Sequence, residues 1–301
     1  MKFLIRSFFI IILIVCIGAG CSPSNGSLHT SSIKVGATIF PLYDLVRTVG
    51  GEDVDAVLML PPGTSPHTYE PTPSLIQNLQ GALAIFTIGH GIDSWISSVQ
   101  NALPQAKIIT TDRNITLRAP TQLLLQEEEE DEGNIDPHYW LDPDNGIIMV
   151  RTIVDELSAL DPAHSANFSA RGDRLIDEIT RHDIEWKEKL SYVTNKDLVT
   201  FHDAYMYFAA HFGLNIVATF EPFPGQEPTP KYIKGLSDAV ERHGITTLYL
   251  EPELPASALE SFARDYNLDI AILDPESGIT DADSYIKLID YNVDTIAAFQ
   301  K

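Results

Sequence analysis

The chain has 301 residues, 44% of them hydrophobic, and its 42 acidic side chains against 20 basic ones give a net charge of −22. This length is enough to bury a substantial core and indicates two domains, at roughly 150 residues each. A surface this acidic attracts cations and repels nucleic acid and anionic lipid. Nucleic-acid binding is therefore excluded as a function.

The first 20 residues have the pattern of a secretory signal peptide. Two basic residues precede an apolar run over 8–17, and three small residues then lead to Cys21. The apolar run is too short to span a bilayer. Small residues before a cysteine resemble the lipobox of bacterial lipoproteins, which implies a lipid anchor on Cys21. Gly18 stands where a leucine is usual, so ordinary cleavage after Gly20 is the alternative.

This leader predicts an exported protein, in the periplasm or on the outer face of the cell membrane. Residues 21–32 are rich in serine and predict a flexible tether. Loss of the two basic leader residues leaves 18 basic against 42 acidic side chains, a mature net charge near −24. Cys21 would be the single cysteine of the mature chain, so no internal disulfide is possible.

Short apolar runs bounded by turn residues alternate with helical patterns along the rest of the chain, which is typical of buried parallel strands. The predicted strands cover 33–40, 55–60, 82–88, 107–111, 198–201, 216–220, 247–250 and 270–273. Helical patterns in the first half cover 42–49, 73–81 and 92–101. The predicted fold is α/β, with one parallel-sheet domain at 33–160 and a second at 192–301.

Residues 161–191 predict one long helix joining the two domains. Asp161 and Pro162 suit its cap and first turn, and apolar side chains recur close to multiples of a helical turn. At 1.5 Å per residue, the helix would be roughly 40 Å long. Such a helix lacks the flexible strands of a hinge, so we expect it to resist large domain closure, with Gly172 as its weak point.

Four side chains with metal-binding chemistry lie in loops that follow predicted strands or are stiffened by proline. His67 follows the second strand, His202 begins as the first strand of the second domain ends, and Asp274 follows the last strand. His138 lies between two Asp-Pro steps, where each proline fixes its own φ and restricts the residue before it. Ligands in open α/β sheets gather beyond the carboxyl ends of strands, and three imidazoles with one carboxylate suit tetrahedral zinc. For the His138 segment alone, a surface turn is the alternative.

These residues belong to four longer motifs. The motifs are Pro66-His67-Thr68-Tyr69-Glu70-Pro71, Asp136-Pro137-His138-Tyr139-Trp140-Leu141-Asp142-Pro143, Phe201-His202-Asp203-Ala204-Tyr205 and Leu273-Asp274-Pro275. With the long helix, they make the chain resemble a zinc-binding member of the metal-receptor lipoproteins that serve ABC importers, the cluster A-I solute-binding proteins. The resemblance covers nearly the whole mature chain.

The resemblance implies a monomeric extracytoplasmic receptor that binds Zn(II) as cargo in the cleft between the domains and delivers it to a membrane permease. The family pattern assigns metal binding to His67, His138, His202 and Asp274. Members that resemble manganese receptors have a carboxylate at the third of these positions. The imidazole of His202 favours zinc, because manganese prefers oxygen ligands; a manganese receptor is the alternative.

Other acidic groups lie near the predicted ligands. Glu251 ends the strand at 247–250 and is expected to orient a ligating imidazole; it is also the main alternative to Asp274 as fourth ligand. Zinc members often have a histidine-rich acidic loop before the second ligand, but the loop here is acidic without histidine: Glu127, Glu128, Glu129, Glu130, Asp131 and Glu132. A solvated, disordered run is the simpler interpretation. Weak metal capture by these carboxylates is the alternative.

Enzymatic and structural functions are the remaining classes. Three histidines and a carboxylate also suit a catalytic zinc, which keeps an open coordination position. Neither His-Glu-x-x-His nor Gly-x-Ser-x-Gly occurs in the sequence, and four protein ligands leave no open position. A receptor that is not an enzyme is therefore favoured over a hydrolase. An adhesin or a purely structural surface lipoprotein is the remaining alternative, because anchoring alone permits it.

Overall fold

The structure is a computed structural model that describes residues 32–120, 135–221, 228–252, 257–277 and 282–300. These residues form two parallel four-stranded sheets. The first sheet contains β1 (Ile33–Ala37), β2 (Val54–Leu58), β3 (Ala84–Thr87) and β4 (Lys107–Thr110). The second contains β5 (Asp197–Thr200), β6 (Asn215–Thr219), β7 (Thr247–Leu250) and β8 (Asp269–Ile272).

The strand orders are β2-β1-β3-β4 and β6-β5-β7-β8, so the two sheets have equivalent topology. In each sheet the chain first adds a strand on one side of the first strand and then crosses to the other side. Such a reversal of strand order opens a crevice at the carboxyl ends of the strands. The prediction of two parallel-sheet α/β domains is confirmed.

Nine α-helices surround the sheets in the described part of the chain. They are α1 (Phe40–Gly50), α2 (Pro73–Asn78), α3 (Ile96–Ala102), α4 (Pro143–Leu160), α5 (Ser165–Ser191), α6 (Met206–Phe212), α7 (Pro230–His243), α8 (Ser257–Tyr266) and α9 (Tyr285–Phe299). Three of them begin with a capping side chain followed by proline, at Thr72, Asp142 and Thr229. Proline suits the first helical position because it lacks the N–H that would be unpaired there. None of these described helices is long and apolar enough to cross a membrane.

Most predicted strands extend beyond the observed ones at their carboxyl ends. Phe40 begins α1 instead of ending β1, while Phe201, Phe220 and Leu273 lie just past their strands and are still buried. Apolar character reports burial, and the loops at these ends are buried without being paired in the sheet. The predicted elements also do not include α4, although its Asp-Pro start has the same capping pattern as α2 and α7.

The long helix that joins the domains is confirmed as α5, and it begins at Ser165. Pro162–His164 forms a separate 3-10 turn, which the side chain of Asp161 caps by accepting from the N–H of Ala163. A Cβ on Gly172 would collide with Val154 of α4. Gly172 is therefore the point where α4 and α5 approach closely, and its role as the weak point of the helix stays a prediction.

The largest hydrophobic core is shared by the two domains. It is continuous from Val35 of β1, through Phe168 and Trp186 of α5, to Leu198 of β5 and Ile289 of α9. The other face of each sheet has a separate apolar cluster. Helix α5 therefore packs on both halves of one core, as its apolar stripe predicts.

Candidate metal centre

The imidazoles of His67, His138 and His202 lie together between the loop after β2, the loop before α4 and the end of β5. One nitrogen of each ring lies within 4.8 Å of the corresponding nitrogens of the other two rings. The ring centroids are 5.2 to 5.8 Å apart, and Nε2 of His138 is 3.4 Å from Nε2 of His202. We call these residues the three-histidine cluster; it combines predicted ligands from both domains.

The cluster is largely enclosed. His138 is 3% exposed and His202 is 4% exposed, and the ring of Trp140 lies against that of His138 at a centroid distance of 5.2 Å. Nε2 of His67 is buried and has no hydrogen-bond partner among the described residues. A buried polar atom without a partner costs roughly 1–3 kcal/mol, so this nitrogen is suited to a ligand that the described residues do not supply.

His138 is held from its outer side by Asp136. Oδ1 of Asp136 accepts the backbone N–H of His138 at 2.9 Å and lies 2.8 Å from Nδ1 of the ring. The backbone N–H of Asp136 in turn donates to the carbonyl of Arg118 at 2.9 Å. The sequence motif contains Asp136, but no role was predicted for it; the Asp-Pro-His spacing is the signal that could have identified it.

His202 is held from its outer side by Glu251. Its Nδ1 lies 2.6 Å from Oε1 of Glu251, and both side chains are buried. Strands β5 and β7 are neighbours in the parallel sheet, so their carboxyl ends bring these two residues together. Glu251 thus contacts the nitrogen that faces away from the cluster, as an orienting carboxylate would.

Asp274 lies on a neighbouring loop. Its Oδ1 accepts from the backbone N–H groups of Glu276 at 2.9 Å and Ser277 at 2.6 Å, and the indole of Trp140 donates to the carbonyl of Pro275 at 2.8 Å. The three histidines form a group of mutually close ligand atoms among the described residues, and this group does not include Asp274. Asp274 is therefore close in the fold to the His138 segment without being placed with the three nitrogens.

The cluster favours neutral imidazoles at two of its three positions. Burial, together with the charges of the other two rings, lowers the pKa of His67 to about 3, and burial with the charge of His202 lowers the pKa of His138 to about 3. Burial also disfavours charged His202, but Glu251 outweighs it and raises the pKa of His202 to about 9. Burial raises the pKa of Asp136 to about 7. His67 and His138 therefore keep lone pairs available for a cation.

A second histidine group, the His211 cluster, lies where α4, α5 and α6 meet. Nδ1 of His211 is 2.8 Å from Asp142 and 3.5 Å from Asp144, and its Nε2 is 2.6 Å from Asp183. Burial lowers the pKa of His211, but these carboxylates outweigh it and raise the pKa above its usual value. His211 is not among the predicted site residues.

His90, which follows β3, is not one of the residues of the three-histidine cluster. Nε2 of His90, the remaining histidine near a strand end, is 2.8 Å from Asp112. The acidic run at 127–132 and the lipid-attachment position Cys21 lie outside the described residues.

Comparison with known proteins places this arrangement in a family. A family model described as ZnuA, the periplasmic component A of the zinc-uptake complex, matches residues 35–299. The chain is 29% identical over 289 residues to the zinc-binding protein AdcA of Streptococcus pyogenes serotype M3, a match that covers 89% of this chain and 56% of that protein. The chain thus spans little more than half the length of that relative.

Two further similarities extend over almost the whole length of the similar protein. The chain is 26% identical over 307 residues to PsaA of Streptococcus mitis, a manganese ABC transporter substrate-binding lipoprotein, covering 99% of this chain and 98% of PsaA. A crystal structure of ZnuA superposes with a TM-score of 0.79 at 25% identity, covering 90% of this chain and 100% of that chain. The resemblance drawn from the sequence motifs is confirmed, and the chain belongs to the family of the zinc-uptake complex component A.

Proposed function

We propose that this protein is an extracytoplasmic receptor that binds Zn(II) as cargo and delivers it to an ABC-type importer. The observation that carries the proposal is the convergence of three largely buried imidazoles, with Nε2 of His67 buried and unpaired among the described residues. Buried polar atoms in proteins almost always have a partner. A bound cation would supply one to all three nitrogens at once.

The proposed ligands are His67, His138, His202 and Asp274. Zinc in closed sites is usually four-coordinate and tetrahedral, and Asp274 would provide the carboxylate from the loop that Trp140 ties to the His138 segment. Glu251 is the weaker candidate for the fourth position, because its Oε1 is already on Nδ1 of His202. We assign it the orienting role instead.

A manganese receptor is the second candidate, and the similarity to PsaA favours it. The composition of the cluster supports zinc, since imidazole suits zinc whereas manganese prefers oxygen. In this chain the nitrogen of His202 occupies the position where an oxygen ligand would be expected for manganese.

Metal analysis of protein purified without chelator, followed by competitive titration, tests the proposal. We expect one zinc per mature chain and tighter binding of zinc than of manganese. Protein that contains no metal and binds neither ion would refute the receptor function, while tighter manganese binding would support the second candidate.

Two other classes have their own tests. A zinc hydrolase would turn over ester, amide or phosphate substrates when zinc is added, whereas a receptor would not. The relatives reported above are named as metal-binding and substrate-binding proteins, which supports a receptor. If the protein is a purely adhesive or structural surface protein, deletion of its gene should leave metal uptake unchanged.

The acidic run and the anchor are proposals about residues outside the described part. We propose that 127–132 supplies no ligand to the main site, so deletion of the run should leave the equilibrium zinc affinity nearly unchanged. Loss of tight binding would show that the four-residue set is wrong.

Mass spectrometry of the mature amino terminus would distinguish a lipid on Cys21 from ordinary cleavage after Gly20.

A further inference from the structure

We propose that Asp136 is a positioning residue of the metal site, which fixes the ring of His138 as Glu251 fixes that of His202. The proposal rests on the function proposed above and assigns a role to a side chain that is not itself a metal ligand. Each domain would then hold one imidazole through one buried carboxylate.

The geometry around Asp136 restrains both the main chain and the ring of one residue. A single oxygen, Oδ1, is 2.9 Å from the backbone nitrogen of His138 and 2.8 Å from its Nδ1. The intervening Pro137 fixes its own φ, and the hydrogen bond from Asp136 to the carbonyl of Arg118 anchors the start of the segment. Asp136 is 1% exposed, so water does not compete freely for this oxygen.

This contact selects the tautomer of the neutral ring. Oδ1 already accepts the backbone N–H of His138, and the same oxygen pairs with Nδ1 as an acceptor when Nδ1 carries the proton, which leaves the lone pair on Nε2. Nε2 is the atom that lies 3.4 Å from Nε2 of His202, on the inner side of the cluster. Without Asp136 the neutral ring is free to place its proton on Nε2, where it would face an incoming cation.

His202 shows the same arrangement from the other domain. Its Nδ1 is 2.6 Å from Glu251. In both rings, therefore, Nδ1 contacts a carboxylate and Nε2 faces the inside of the cluster. Carboxylates on the outer nitrogen of a ligating histidine orient the ring and raise its basicity, and their loss typically lowers metal affinity by about 10- to 100-fold.

A purely structural role for Asp136 predicts a different outcome. In that role, Asp136 would stabilise the loop only by accepting the backbone N–H of His138, and the tautomer of the ring would not depend on it. The test therefore needs a readout of the ring itself as well as a readout of affinity.

The experiment compares Asp136→Ala and Asp136→Asn with wild type, in the full mature chain. Asp112→Ala is the matched control, because it removes an aspartate that lies 2.8 Å from another histidine, His90, outside the cluster. Nitrogen-15 NMR of histidine-labelled, metal-free protein reports the tautomer of His138, and competitive titration with zinc reports the affinity.

We expect Asp136→Ala to remove the pure Nδ1–H signature of His138 and to weaken zinc binding by about 10- to 100-fold. Asp136→Asn keeps an oxygen acceptor but loses the charge, so its loss of affinity should be smaller, while Asp112→Ala should match wild type. An unchanged tautomer and affinity in Asp136→Ala would overturn the proposal. If Asp136→Ala does not fold, an Nε2–H tautomer of His138 in the metal-free wild type overturns it. Wild-type protein that binds no zinc would refute the receptor function instead, and the metal-free tautomer would still test Asp136.

Discussion

The three-histidine cluster and the His211 cluster both combine buried imidazoles with carboxylates, yet their nitrogens face different groups. In the three-histidine cluster, Asp136 and Glu251 take the outer nitrogens, and the inner nitrogens of His138 and His202 face each other at 3.4 Å. In the His211 cluster, both nitrogens of one ring face carboxylates, at 2.8 and 2.6 Å. Proximity of histidine to carboxylate is thus not sufficient to indicate a metal site.

The electrostatics of the two clusters follow from this difference. Burial lowers the pKa of His67 and His138, which leaves lone pairs that a cation can use. The carboxylates of Asp142 and Asp183 raise the pKa of His211 despite its burial, so they favour the protonated form of that ring. Two of the three rings in the three-histidine cluster thus favour the neutral form, whereas the single ring of the His211 cluster favours the protonated form.

The largest expected effect is a loss of zinc affinity when a histidine of the three-histidine cluster is replaced, compared with no loss when His211 is replaced. His202→Ala should weaken zinc binding by more than the roughly 100-fold typical of changes around a ligand, because it removes a proposed ligand and leaves Glu251 buried without its partner. His211→Gln, the matched control, should bind zinc like wild type. Competitive titration measures both, and full-strength binding by His202→Ala would remove the site assignment.

A change of ligand chemistry at the same position sharpens the zinc assignment. His202→Glu replaces a nitrogen with oxygen, so the preference between zinc and manganese should shift toward manganese by about tenfold, equivalent to roughly 1.4 kcal/mol. Parallel titrations with the two ions give the ratio. A ratio equal to that of wild type would count against the selectivity argument.

The three histidines could be predicted from sequence because each lies in a short, locally restrained segment. His67 and His138 are in proline-stiffened loops, and His202 directly follows a strand, so their positions depend on local rules and on the common edge of a parallel sheet. The same reasoning predicted both sheets and the long helix.

The features that were missed depend on contacts between distant segments. Asp136 differs from the other acidic residues of its motif only in which nitrogen its oxygen reaches, and His211 acquires its partners from α4 and α5. The role of Gly172 likewise depends on where Val154 packs. Such contacts are determined by the packing of helices, which residue spacing along one segment does not specify.

The pH dependence of stability tests the charge assigned to the His211 cluster. Since the folded-state pKa of His211 is raised above its usual value near ~6.5, the protonated ring stabilises the fold fully below about pH 6.5, and this contribution is lost as pH rises through the raised pKa. His211→Gln should lower the free energy of unfolding by roughly 2 kcal/mol at pH 6. The difference from wild type should decrease at higher pH.

Urea unfolding of both proteins between about pH 6 and 9 measures this difference. The charged groups around the ring are Asp142, Asp144 and Asp183, with Lys187 paired to Asp183 at 2.6 Å. A difference that is constant with pH would show that His211 is neutral in the folded protein and that the contrast between the two clusters is wrong.

The packing of α4 against α9 is tested at Gly146. The phenol of Tyr285 lies where a Cβ on Gly146 of α4 would be, and it donates to the carbonyl of Trp140 at 2.7 Å. Gly146→Ala should therefore cost about 1–3 kcal/mol of overpacking, against a helix-propensity gain of roughly 0.5–1 kcal/mol. In Gly235→Ala, where a Cβ would meet nothing within 4 Å, only the gain is expected. Urea midpoints measure both, and equal stabilisation in the two variants would show that Tyr285 moves aside freely.

The smallest expected effect concerns the two domains that contribute to the three-histidine cluster. They share one continuous core along α5, and Val154 fills the space beside Gly172. The indole N–H of Trp140, in the first domain, donates to the carbonyl of Pro275 in the second. Large closure around a metal would have to separate packed side chains. Bending α5 would break backbone hydrogen bonds, since the helix contains no proline that would form a kink. Zinc should therefore order ligand loops and tilt the domains only slightly.

Solution scattering with and without zinc measures the radius of gyration, which for a compact mature chain of this length is about 19 Å. We expect zinc to change it by no more than a few per cent of that value, and His202→Ala to show no change. Release of the metal would then require displacement of a ligand loop and not separation of the domains, because the shared core stays closed in both states. A large zinc-dependent decrease would instead demonstrate hinge closure, and α5 would have to bend to permit it.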